Sequence, residues 1–163
     1  LALTKSMNLG DALAHALKSE TDPLIRKMRV HISGCPNSCG QHWIGDFGFY
    51  GNARKIDGKE VPYYLMLLGG GFDETGAIKY GLAIQSVPAR LVPVAMRRVI
   101  DHYLGDRQSG ESFRQYVMRN KANFFREMIG DLIKPAEIAP ELYQDWGDDE
   151  AYSLQLGRGE CAA

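Results

Sequence analysis

The stretch Val30-His31-Ile32-Ser33-Gly34-Cys35-Pro36-Asn37-Ser38-Cys39-Gly40-Gln41 decides how the rest of the chain is read. It opens as a strand, because Val30 and Ile32 alternate with His31 and Ser33 in the period of two that marks a pleated, half-buried segment. It then runs into Gly34, and two cysteines four positions apart follow, Cys35 and Cys39, with Gly40 directly after the second. Pro36 fixes one backbone torsion inside the loop. Gly34 and Gly40 permit tight turns and the close approach of a bulky group. A loop of this composition can turn several N–H groups and both sulfurs to one side. Residues 38–44 read as a short helix, with Cys39 in its first turn, where the helix dipole favours the ligating thiolate.

Outward from the loop, the pattern alternates between the two periods. Residues 8–20 form a helix, with Leu9, Leu13, Ala16 and Leu17 on one face and Asn8 as N-cap. The strand that enters the loop spans 28–33, and a second covers 46–50. Asp57-Gly58 signals a turn. A strongly apolar third strand, 61–68, runs into Gly69-Gly70-Gly71, and a fourth covers 82–87. From Pro88 the period becomes helical, with Leu91, Val94, Ala95, Val99 and Tyr103 as the apolar stripe and Gly105 as the stop. Residues 112–133 hold one or two further helices that offer Phe113, Tyr116, Val117, Phe124, Phe125, Met128 and Ile129 for burial. Helix, strands and then helices give the α+β class: a mixed α/β sandwich, with a mixed β-sheet flanked by helices. Residues 1–134 form the domain. Residues 135–163 are a Pro-rich, acidic C-terminal tail, with Asp145, Asp148, Asp149 and Glu150, expected to wrap or dock with few contacts of its own.

The totals narrow the function classes. A chain of 163 residues suits one domain with a sizeable core. A formal net charge of -1 argues against nucleic-acid binding. No apolar run approaches the roughly 20 residues of a membrane helix. The opening Leu1-Ala2-Leu3-Thr4-Lys5 has neither an initiator Met nor the features of a signal peptide, and the chain reads as a piece of a larger protein. The cysteines are Cys35, Cys39 and Cys161, an odd count with no closed disulfide framework. Such usage points to a reducing compartment, and the cytoplasm, or else an organelle matrix, is the expected location.

Taken alone, the spacing Cys-x-x-x-Cys leaves several readings open. Two thiols can simply pack in a core. A zinc site would need further ligands, for which His31 and His42 are the nearest histidines, though their spacing fits no common zinc pattern. An iron–sulfur cluster needs about four thiolates, and Cys161 is too remote in sequence to recruit. A unit without cofactor, serving folding or docking, is also compatible with these residues. Other constellations are plain. Arg97 and Arg98 read as solvated helix residues, Gly69-Gly70-Gly71 lacks the Lys-Ser/Thr of a phosphate loop, and the acidic residues of the tail lack calcium-loop spacing.

The stretch 30–41 as a whole resembles the second cysteine motif of the sirohaem-dependent nitrite and sulfite reductases. Gly45-Asp46-Phe47-Gly48-Phe49-Tyr50-Gly51 is similar to the strand that follows in that family, and Leu67-Leu68-Gly69-Gly70-Gly71 to its glycine-rich strand end. Residues 88–94 with the helix after them, and Gly110-Glu111-Ser112-Phe113, resemble later family elements in the same order. The likeness runs through roughly residues 1–130. It implies a [4Fe-4S] cluster held by an upstream cysteine pair and by Cys-x-x-x-Cys, with the last cysteine bridging to the iron of sirohaem. Carried over by position, Cys35 is a metal ligand, and Cys39 is both a metal ligand and the axial sirohaem ligand. Asn37, Gln41, Gly69, Gly70 and Gly71 line the cofactors. The resemblance also implies six-electron reduction of nitrite to ammonia or of sulfite to sulfide. The implied partners are the small anion, a ferredoxin or flavoprotein donor, and the remainder of the same polypeptide. Gln41 leans towards nitrite, since Arg after this glycine is more usual in sulfite reductases. The upstream pair has no counterpart here, so the expectation is half a metal site, inactive by itself.

Overall fold

The computed structural model describes residues 2–134 and 139–154. The strand entering the cysteine loop is β1, Val30–Ser33. It lies parallel to β2, Phe47–Ile56, with Val30 opposite Phe47 and Ser33 opposite Tyr50. β2 turns back on itself as β3, Lys59–Leu68, through Asp57 and Gly58. Both turn residues have positive φ, 49° and 78°, the two-residue geometry that matches the natural twist of paired strands. This turn explains why β2 runs six residues beyond the expected end at residue 50. A tight hairpin carries both strands to its tip, and Ile56 pairs with Lys59 although residues 51–56 lack an apolar pattern. β6, Leu82–Pro88, pairs antiparallel with the other edge of β3 through a bulge at Met66/Leu67. The order β1-β2-β3-β6, with one parallel and two antiparallel junctions, is the expected mixed sheet. A small hairpin of β4, Gly71–Phe72, and β5, Ile78–Lys79, is added beside it. That segment carries no strand pattern in the sequence, because its strands are two residues long.

The helices are α1, Ser6–Ala16; α2, Val92–Asp106; α3, Phe113–Met128; and the single turn α4, Gly130–Ile133. Phe47, Phe49, Tyr64, Met66, Leu68 and Ile84 of the sheet join Leu9, Leu13, Val99, Ile100, Tyr103, Tyr116 and Phe125 of the helices in one buried cluster. Successive side chains of a strand point to opposite faces. Phe47 and Phe49 therefore face the helices, and Gly48 and Tyr50 face away, where the turn after the cysteine loop lies: the Tyr50 and His42 rings are 4.7 Å apart.

Three further expectations change. α1 begins at Ser6 with Lys5 as N-cap, ahead of Asn8, and ends at Ala16 rather than at 20. The earlier start has a tertiary cause, because the Asp145 carboxylate accepts the Lys5 N–H at 2.7 Å. The short helix over 38–44 does not form. Ser38 and Gln41 take left-handed φ values of 62° and 53°, leaving a three-residue turn, His42–Ile44, and Cys39 is not in a helix. The third change concerns the C-terminal segment. Asp145 is 1% exposed and Trp146 donates from Nε1 to the Ala89 carbonyl at 2.8 Å, so residues 139–154 are fastened to the body rather than loosely laid on it. Cys161 and the rest of 155–163 lie outside the described residues, as do 135–138.

Candidate functional site

Both ends of the cysteine loop are pinned. At the entry, the Gly34 carbonyl accepts the N–H groups of Leu3 and Thr4, at 2.8 and 3.1 Å, and the Thr4 hydroxyl at 3.2 Å. This crossing is possible because Gly51 of β2 has no side chain: a Cβ there would collide with Thr4 Oγ1 and the Gly34 carbonyl. At the exit, the Gly40 N–H donates to Ser33 Oγ at 3.1 Å. Ser33 Oγ is in turn 2.9 Å from His42 Nδ1. Gly40 sits so close to the Ile32 carbonyl that any Cβ would overlap it. The loop is therefore held against the strand it leaves, and the left-handed backbone at Ser38 and Gln41, φ 62° and 53°, is what breaks the expected helix.

Between these pins the two thiols have different surroundings. Cys35 is 6% exposed, whereas Cys39 is exposed. Pro36, Asn37 and Gln41 are exposed with Cys39, so one thiol is set into the body and the other presents outward along an open rim. Gly69, Gly70 and Gly71 are all buried and sit under the turn that follows the loop. Gly69 donates its N–H to the Asp46 carbonyl at 2.8 Å, and its own carbonyl accepts from Arg114. A Cβ on Gly70 would meet the carbonyls of Trp43 and Gly45. In this chain Gly70 brings the end of β3 against residues 43–45, while a Cβ on Gly69 would meet Val117 and one on Gly71 would meet Arg29. Beside that turn, Trp43, Phe72, Ile78 and Tyr80 form an exposed apolar area, with the Trp43 and Tyr80 rings 5.9 Å apart.

Each histidine near the loop has its Nδ1 engaged by a neighbour. His31 Nδ1 lies 3.0 Å from the Gln41 carbonyl. His42 is fully buried and its Nδ1 is taken by Ser33, while its Nε2 has no hydrogen-bond partner among the described residues. Burial holds the His42 pKa below the ordinary histidine value, because desolvation disfavours the charged ring. Among the described residues, no three His, Cys, Asp or Glu side chains gather as a metal-ligand group. A structural zinc site closes with about four ligands, so the zinc reading is not favoured. Two thiols on a pinned glycine-bounded loop, one inset and one presented, match two of the about four thiolates of an iron–sulfur cluster. The donor set fits half of such a site.

Sequence reasoning singled out Cys35, Cys39, Asn37 and Gln41, and the structure brings them together on one loop. It did not foresee Ser33, Thr4 or Gly51, which hold that loop in place. Ser33 had one available signal, a hydroxyl on the last residue of a strand before a tight loop. Thr4 and Gly51 had none, since they meet the loop only through tertiary crossing.

Residues 9–129 match the family model described as "Nitrite and sulphite reductase 4Fe-4S domain". The assimilatory ferredoxin-dependent nitrite reductase of Haloferax mediterranei is 33% identical over 94 residues, 57% of this chain and 16% of that protein. The sulfite reductase [NADPH] hemoprotein beta-component of Bacillus velezensis is 30% identical over 93 residues, 57% of this chain and 15% of that protein. Among solved structures, the NirA protein of Mycobacterium tuberculosis superposes with a TM-score of 0.61 and 28% identity, covering 74% of this chain and 22% of that one. The chain thus spans less than a quarter of the length of these relatives. No helix among the described residues is long and apolar enough to cross a membrane.

Proposed function

Because the chain belongs to the nitrite and sulphite reductase 4Fe-4S domain family, we propose that it supplies the Cys-x-x-x-Cys half of the redox centre of an assimilatory nitrite or sulfite reductase. The observation that carries this reading is the pairing of an inset Cys35 with a presented Cys39 on one doubly pinned loop. Cys35 and Cys39 would be cluster ligands, and Cys39, the outward one, the axial ligand of a sirohaem. Asn37 and Gln41 share the open rim with Cys39 and would lie against the cofactors. Gly69, Gly70 and Gly71 would serve the same site from beneath, Gly70 by keeping the 43–45 turn seated. When bound, a sirohaem coupled to a [4Fe-4S] cluster would supply single-electron steps for a six-electron reduction. The chain's part is to hold two thiolates in fixed positions and to leave the rim open.

The donor set also defines what is needed from elsewhere. The chain contains three cysteines, and only two of them are on the loop. The remaining cluster ligands, and most of the anion-binding cations, would come from another part of the polypeptide. Residues 1–134 are the cysteine-bearing unit in this reading, and 135–163 an acidic segment appended to it. The relatives are named for ferredoxin and for NADPH, and a ferredoxin or flavoprotein donor is proposed on that basis. The cytoplasm is the proposed location.

The test uses a polypeptide that joins this chain to a cysteine-pair half from the family. Iron and acid-labile sulfide content, the optical and EPR spectra, and nitrite and sulfite turnover with a reduced dye are measured. Cys35→Ser is expected to lose the four-iron signal, and Cys39→Ser to lose both it and the sirohaem signature. Retention of full iron and sirohaem by both variants would overturn the assignment. By itself, the chain is expected to form no stable four-iron cluster on reconstitution.

A further inference from the structure

Segment 2–5 lies between two layers. On one side its Leu3 and Thr4 N–H groups and its Thr4 hydroxyl all converge on the Gly34 carbonyl, one residue before Cys35. On the other side it is gripped by the C-terminal segment. The Tyr152 hydroxyl donates to the Leu3 carbonyl at 2.6 Å. The buried Asp145 carboxylate accepts the Lys5 N–H at 2.7 Å and the Trp146 N–H at 2.8 Å. Lys5 Nζ pairs with Asp148. Thr4, between these contacts, is 3% exposed.

The C-terminal segment is itself anchored to the body and not merely to segment 2–5. Arg90 donates to the carbonyls of Asp145 and Asp148 at 2.9 and 3.1 Å, and its guanidinium lies 4.8 Å from the Trp146 ring centroid. Trp146 Nε1 donates to the Ala89 carbonyl at 2.8 Å, and the Leu154 N–H to Glu60 at 2.6 Å. A continuous path therefore runs from the turn Ala89–Leu91 that precedes α2, through residues 145–152, to segment 2–5 and on to the carbonyl beside Cys35. A burial-costly carboxylate such as Asp145 is tolerated where it satisfies backbone donors that would otherwise be orphaned.

We infer that residues 139–154 act as a strap that seats the cysteine loop, with Asp145 and Tyr152 as positioning residues acting through segment 2–5 on Cys35. The strap rests on the redox-loop reading only for its purpose; its physical effect is a property of the cofactor-free chain. Removing it frees segment 2–5, loosens the Gly34 end of the loop and uncovers Cys35. Cys39 is already exposed and is unaffected.

The experiment labels thiols in the full chain without iron, in a Cys161→Ser background, with a maleimide probe. Labelling of Cys35 and Cys39 is followed separately by peptide mass spectrometry, and amide exchange of β3 and α2 is measured in parallel as the readout of global opening. Tyr152→Phe deletes one hydroxyl and is expected to speed Cys35 labelling about fivefold, and Asp145→Ala about tenfold or more. Cys39 labelling and β3/α2 exchange stay unchanged. Asp149→Asn, an exposed acid of the same segment, leaves all rates alone. Unchanged Cys35 labelling in both variants, or a rise only in step with β3 and α2 exchange, would overturn the strap. Because no iron is present, a failed cofactor assignment would leave this result standing, and a failed strap would leave the ligands untouched.

Discussion

At the scale of single residues, the loop depends on atoms that are absent as much as on those present. Gly40 is the sharpest case. A methyl group there would overlap the Ile32 carbonyl, which is backbone and cannot swing aside. Gly40→Ala is therefore expected to cost at least about 2 kcal/mol, read from the urea midpoint at constant m. A loss under about 0.5 kcal/mol would mean that the loop is not seated on β1 as described. His42 gives a prediction with a definite sign. Its folded pKa is depressed by burial, so the folded state binds fewer protons than the unfolded state just below the unfolded value of about 6.5. Its contribution is fully present above that value and is lost as pH falls through the depressed folded pKa. The melting temperature should thus fall between pH 7 and pH 5, and His42→Asn should flatten that dependence. An equal slope in the variant would assign the acid sensitivity to other groups.

At the scale of elements, local signals settle some boundaries and tertiary contacts settle others. α3 begins with a complete capping box, the Ser112 side chain accepting from the Gln115 N–H and the Gln115 side chain accepting from the Ser112 N–H. Ser112→Ala should cost about 1 kcal/mol in chemical denaturation, with no change in the loop's thiol reactivity. α1 has no side-chain cap of its own and borrows the Asp145 carboxylate across 140 residues. The strands divide in the same way. β3 carries its own apolar run, whereas the outer half of β2 exists because the Asp57-Gly58 turn returns the chain onto it.

At the scale of the whole molecule, the sheet stands between a helical layer and the cysteine loop, and the C-terminal segment closes the open end. Trp146 is one anchor of that closure, packed against the core cluster and hydrogen-bonded to Ala89. Trp146→Ala is expected to destabilise the chain by about 3 kcal/mol. A loss below about 1 kcal/mol would show that the segment is an ornament. Surface ion pairs should matter far less. Arg98 and Asp131 are bidentate but largely solvated, so neutralising Arg98 should leave the melting temperature nearly unchanged.

What the amino-acid sequence determined by itself was the local chemistry: the strand into Gly34, the Cys35/Cys39 spacing, the hairpin turn at Asp57-Gly58, the apolar stripes of the helices and hence the α+β class. Each depends on neighbours within a few positions, where propensity, periodicity and turn geometry act. The tertiary structure alone decided which thiol is inset and which presented, and why no helix follows the loop. It also decided how Gly51 lets Thr4 reach Gly34 and how an acidic tail caps α1. These are contacts between residues 7 to 140 positions apart. A backbone N–H satisfied by a distant oxygen leaves no mark in the local pattern, so only the folded chain reveals it.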